Sequence, residues 1–148
     1  MLKFIITWAI TLTFWATSVL AEGEAVKIFQ LDFDLSPTSA KKVAETRFEC
    51  TMNYNDHCVK SDTTLVELSD TAGKLSTIRI RCEAFEGCAY STKEVATSLG
   101  EQKSLIFSEF FDDRWCATGT LGERICVDKF QNIVMDRAKF RVPSLSFD

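Results

Sequence analysis

At 148 residues the chain has room for one domain, and its formal charge of −4 is only mildly acidic. It has no basic tail or run of the kind that neutralises phosphates, which argues against nucleic acid as a partner. Six cysteines with one histidine and no Cys-x-x-Cys pair argue against structural zinc and thioredoxin-type redox chemistry, so no cofactor is expected.

Met1-Leu2-Lys3 is followed by Phe4 to Leu20 without a charge, and Val19-Leu20-Ala21 closes that run ahead of Glu22. One early cation, an apolar run and a small-residue exit read as a secretory signal over residues 1–21. The competing reading is an uncleaved anchor, but the run is shorter than the roughly 20 residues that span a bilayer. Cleavage would remove Lys3 and no acid, taking the formal charge from −4 to −5. The expected location is secreted or periplasmic, with no membrane contact after cleavage.

Cys50, Cys58, Cys82, Cys88, Cys116 and Cys126 all follow that segment, and an even count in an exported chain reads as disulfides. Spacing favours pairing between neighbours, because each successive pair brackets one bend. Cys116 and Cys126 are the clearest case. With Leu121 as midpoint between Gly119 and Gly122, positions 118/124 and 116/126 fall opposite one another on a hairpin. Each short loop would contribute about 2–3 kcal/mol. Bridges joining distant strands remain the alternative.

Ala25 to Leu35 alternates Phe29, Leu31, Phe33 and Leu35 with Gln30, Asp32 and Asp34, the period of a strand. Asp32 and Asp34 lack the rest of a calcium loop and read as a solvated strand face. Ser36-Pro37 resembles a helix start, followed by a short helix or ordered loop over Thr38 to Thr46 with Ala40, Val43 and Ala44 on its apolar side. Phe48, Cys50, Met52 and Tyr54 alternate cleanly as a second strand, and Asn55-Asp56-His57 is a turn. Thr63 to Leu68 and Thr77 to Ala84 form a hairpin across Ser69 to Lys74. In the second arm Ile78, Ile80, Cys82 and Ala84 oppose Thr77, Arg79, Arg81 and Glu83. Ser91 with Glu94 fits a capping box, yet Cys88 to Thr92 also continues as a return strand, which is the favoured reading. Ser104 to Phe111, Arg114 to Thr118, Arg124 to Phe130 and Ile133 to Val142 complete the strands, and residues 143–148 read as a disordered tail.

The whole describes an all-β fold: a small antiparallel meander of seven to nine strands, closed as a barrel or folded as a sandwich, disulfide-stabilised, with room for one short helix. Residues 22–142 form the single β domain, and no internal repeat is visible in the sequence.

No constellation supports catalysis. His57 is the sole histidine and sits in a turn, and no Gly-x-Ser-x-Gly elbow occurs. Asp112 with Asp113, or Glu83 with Glu86, could supply paired carboxylates for a hydrolase, but their spacing lends that reading no support. Arg79 and Arg81 share a polar face and could bind an anion, although cross-strand pairing with Glu67 is the simpler use. Phe110, Phe111, Asp112, Asp113, Arg114 and Trp115 place aromatic anchors around an acidic turn, a composition favoured in recognition. If those aromatics alternate into the core, only the acids are exposed.

Arg81-Cys82 and Gly87-Cys88-x-Tyr90, followed by a glycine-punctuated meander, resemble small exported proteins of Gram-negative bacteria that have no assigned activity. The Phe48-x-Cys50 strand and the expected acidic barrel also resemble periplasmic inhibitors of C-type lysozyme, whose conserved loop motif is not placed here residue by residue, so no site is carried over. The expectation is a monomeric, non-catalytic binding module, with an inhibitor of a basic enzyme such as lysozyme as first reading. The alternatives are a barrel carrying a small apolar ligand and a hydrolase using paired carboxylates.

Overall fold

The computed structural model describes residues 24–137. The signal segment and the tail predicted from sequence lie outside these residues, as does the predicted strand beyond Arg137. Eight antiparallel strands form one open sheet: β1 (Thr51–Met52), β2 (His57–Lys60), β3 (Thr63–Thr71), β4 (Lys74–Ile80), β5 (Ser108–Phe110), β6 (Arg114–Thr118), β7 (Arg124–Val127) and β8 (Ile133–Asp136). Their spatial order is β1-β2-β3-β4-β8-β7-β6-β5. The β-rich, antiparallel, disulfide-stapled class read from the sequence holds, but the sheet does not close into a barrel. Two helices, α1 (Pro37–Phe48) and α2 (Thr92–Lys103), contribute to the core instead.

The order of elements is one helix and four strands, twice over. The halves meet where β4 pairs with β8, with Ile78 opposite Met135 and Ile80 opposite Ile133. Both helices have 12 residues, a serine N-cap and a left-handed C-cap, at Glu49 and Ser104. No repeat shows in the sequence because the topology constrains burial rather than identity: Ala40 and Ala44 bury one helix where Val95 and Leu99 bury the other.

Alternation gives the sheet two unlike faces. Register aligns Val66, Ile80, Ile133 and Val127 across four neighbouring strands, with Leu68, Ile78, Met135 and Ile125 in the next row. All eight are buried and join the helix residues in one core. The opposite face carries Glu67, Arg79, Val134, Cys126 and Cys116.

Several expectations are corrected. Residues 25–35 form turns with one isolated bridge between Ile28 and Leu31 rather than a strand, and Phe29 and Gln30 adopt positive φ. The segment packs by burying Ile28, Leu31 and Phe33. Asp32 is buried too, since its Oδ1 accepts from the backbone N–H groups of Asp34 and Leu35 at 2.8 and 3.1 Å. Phe48 ends α1 instead of beginning a strand, and β1 is reduced to two residues. Beyond β4 the chain leaves the sheet in two 3-10 turns, Cys82–Ala84 and Gly87–Ala89. Ser91 then starts α2 rather than continuing a strand. Its hydroxyl accepts from Glu94 N and the Glu94 carboxylate accepts from Ser91 N at 2.8 Å, so the complete capping box prevails over the local β pattern. Of the apolar run from Ser104, only Ser108–Phe110 is strand.

Candidate functional site

A concavity of about 1100 Å³ lies between the two helices, above the apolar face of the sheet. Phe48 reaches it from the end of α1, Val95 and Leu99 from α2, Leu65 and Ile133 from the sheet, and Phe29 and Phe85 from connecting segments. Phe29 lies at the centre of an aromatic trio, 5.6 Å from Phe48 and 5.7 Å from Phe85 between ring centroids. The positive φ of Phe29 is what turns the N-terminal segment there. Gly87 also has a specific role, because a Cβ at this position would overlap the Phe85 ring.

The charged residues lining it, Arg47, Glu49, Lys60, Glu83 and Glu94, are all exposed. The Arg47 guanidinium sits 5.5 Å above the Phe29 ring, and Lys60 pairs with Glu49 at 3.3 Å. On the α2 side, hydrogen bonds from the backbone and hydroxyl of Ser91 hold the Glu94 carboxyl below its ordinary range. The result is an apolar trough with a polar edge, the usual chemistry of a small-molecule site.

The six residues expected at a recognition turn are divided by the structure. Phe110 and Phe111 protrude, 49% and 72% exposed, with ring centroids 4.8 Å apart. Phe130 on the β7–β8 turn is exposed as well, and Lys129 links the two turns by pairing with Asp112 at 3.2 Å. Asp113 accepts from the hydroxyl of the buried Thr92 at 3.1 Å. Trp115 points toward the core, half-buried beneath Lys93 at 5.7 Å, and Arg114 lies on the opposite face. The turn therefore displays two aromatics, while both of its acids are already engaged.

The disulfides are Cys50–Cys58, Cys82–Cys88 and Cys116–Cys126, the neighbour pairing. The hairpin register read from Leu121 is also correct, with Thr118 opposite Arg124 and Cys116 opposite Cys126. Among the described residues no cysteine is free, and no helix is long and apolar enough to cross a membrane. Three such bridges mark an oxidising, non-cytoplasmic environment. Cys82, Glu83 and Cys88 lie close together, but both thiols of that cluster are spent in a disulfide. His57 opens β2 beside Glu67 at 3.7 Å, and Glu83 and Glu86 are exposed near the 3-10 turns. The expected pairing of Glu67 with Arg79 and Arg81 is present.

The groove escapes the sequence pattern because Phe29 and Phe48 lie in segments whose alternation resembles strands, and Phe85 lies in the bend that interrupts one. Their convergence depends on left-handed backbone and 3-10 turns. No protein-family model, curated protein or solved structure matches the chain.

Proposed function

We propose that the protein is an exported, non-catalytic binding module that holds an apolar ligand in the trough between α1 and α2. The single observation carrying this reading is the 1100 Å³ groove with Phe29, Phe48 and Phe85 along its wall. It replaces the interior of a closed barrel as the place for such a ligand. Saturable binding of the neutral fluorophore N-phenylnaphthylamine tests it. Ser98 is exposed on α2 and lines the groove, so Ser98→Trp should fill the trough without disturbing the core. The wild type should bind and Ser98→Trp should not, while Phe111→Ser should bind normally. Equal binding by Ser98→Trp, or none by the wild type, rejects the groove.

A second reading, recognition of a protein partner such as a basic enzyme, is favoured by the protruding rings of Phe110 and Phe111. The engagement of Asp112 and Asp113 leaves the aromatics as its anchors. Phe111→Ser should then weaken capture of lysozyme on a column at least as much as Asp112→Lys does. If neither variant changes retention, that turn is not the contact.

A further inference from the structure

The sheet face that bears no helix among the described residues has a charge character unlike the rest of this acidic chain. Register places His57, Glu67 and Arg79 in one row across β2, β3 and β4, with Arg81 two residues beyond Arg79. The same row continues through Val134 and Cys126 to Cys116. Arg124 and Arg114 therefore share this face, each two residues from one of those cysteines. Among the described residues, four guanidiniums on this face stand against Glu67, Asp136 and, in the turn after β7, Asp128. Asp136 accepts from the Thr77 hydroxyl at 3.1 Å, and Asp128 accepts from the backbone of Phe130 and Asn132.

Glu67 is shared among Arg81 at 3.6 Å, Arg79 at 3.9 Å and His57 at 3.7 Å. These are charge contacts longer than hydrogen bonds, and the buried Glu67 Oε2 accepts none. The forks of Arg79 and Arg81 are thus oriented by one carboxylate while their N–H groups stay unspent among the described residues. Arg124 lies across the Cys116–Cys126 bridge, its Nε 3.2 Å from Cys126 Sγ and its guanidinium 5.6 Å from the Phe110 ring.

From this arrangement we propose that the helix-free face binds an extended polyanion, an acidic polysaccharide laid across the strands. The cations span β4, β8, β7 and β6, about 14 Å at the usual strand spacing, farther than one carboxylate or phosphate reaches. Arginine forks suit repeated carboxylates. The Phe110 ring on this face is already covered by Arg124, which takes it out of use as a stacking platform for single-stranded nucleic acid.

Polygalacturonate immobilised on a sensor tests the site at low and moderate salt, with neutral dextran as blank. Wild-type protein should bind and lose affinity as salt rises. Arg79→Ser/Arg81→Ser should weaken binding about tenfold and Arg124→Ser by a smaller factor, with a charge-matched control, Lys42→Ser/Lys103→Ser on the helices, unchanged. Arg79→Lys/Arg81→Lys keeps the charge and guards against misfolding of the serine pair; it should bind with intermediate affinity. Absence of wild-type binding overturns the proposal, as does equal loss in the helix control. Equal or tighter binding to single-stranded DNA or phosphatidylglycerol vesicles overturns the polysaccharide assignment. Ser98→Trp should bind polygalacturonate normally, so the groove and this face can fail separately.

Discussion

The two halves share a topology but are held together by different means. In the first, β3 and β4 run nine and seven residues, and the hairpin loops Ser61-Asp62 and Ala72-Gly73 have positive φ at both positions, which suits the twist of paired strands. Its disulfide lies in the core, with Cys58 fully buried. In the second, β5 to β8 have only three to five residues each, and side chains latch the turns. Asp128 receives the backbone N–H and side-chain amide of Asn132, and Asn132 in turn accepts from Cys82 N at 3.0 Å. Glu123, buried in the β6–β7 turn, accepts from Val26 N and Leu121 N at 2.8 and 2.9 Å. Where strand length is short, buried polar groups substitute for ladder hydrogen bonds.

The strongest challenge to this contrast is to strike the strand pair that the halves share. Ile80 is fully buried between Val66 and Ile133. Ile80→Ala should cost about 4 kcal/mol by removing buried methyl groups and leaving a cavity. Denaturant unfolding followed by Trp115 fluorescence and by far-UV circular dichroism should still show one coincident transition. Two separated transitions would mean that the halves are independent units rather than one core.

The polar latch ranks next. Glu123→Ala should destabilise by about 3 kcal/mol, because two backbone donors lose a charged acceptor. Gly119 belongs to the same latch, since a Cβ there would overlap the Glu123 carboxylate. Gly119→Ala should therefore reproduce part of the loss. A cost below about 0.5 kcal/mol for Glu123→Ala, within the range of ordinary surface changes, would remove the distinction between the halves.

Chain entropy alone makes the end disulfides nearly equivalent, with sequence separations of 8 and 10. Packing separates them: Cys50 and Cys58 both belong to the hydrophobic core, whereas Cys126 is buried outside it and Cys116 is half-buried. Replacing Cys50 and Cys58 by alanine should cost about 1 kcal/mol more than replacing Cys116 and Cys126, because only the first pair leaves a hole in the core. Equal midpoint shifts for the two variants would contradict this.

The sequence was legible where one strong local rule acted alone. Glycines around Leu121 set the Cys116–Cys126 register, and alternation over Thr77 to Arg81 located both the buried isoleucines and the arginines paired with Glu67. It was misleading where two rules competed. Around Ser91 the capping box and the β pattern both fit, and the complete capping box prevailed together with burial of Val95, Ala96 and Leu99 in the shared core. The groove was illegible for a different reason: positive φ at Phe29 and Glu86 has no marker in residues other than glycine or asparagine. Glu123 likewise looks like an ordinary hairpin acid until the N-terminal segment, 97 residues away in sequence, is seen to donate to it.

The smallest expected effect separates the two helix starts. In α1 the N-cap Ser36 accepts from Ser39 N, a contact without a titrating partner. In α2 the reciprocal acceptor is Glu94, whose pKa is lowered from its ordinary 4.5 by the Ser91 backbone and hydroxyl. A depressed carboxyl contributes stability that is present above its unfolded pKa and lost as pH falls through the folded value. Glu94→Gln should therefore lower the unfolding midpoint slightly at pH 7 and leave it closer to wild type near pH 3. The same comparison for Ser36→Ala should give a loss that does not change between those pH values. Parallel behaviour of the two variants would mean that the α2 cap acts through hydrogen bonding alone, without the charge that distinguishes it from α1.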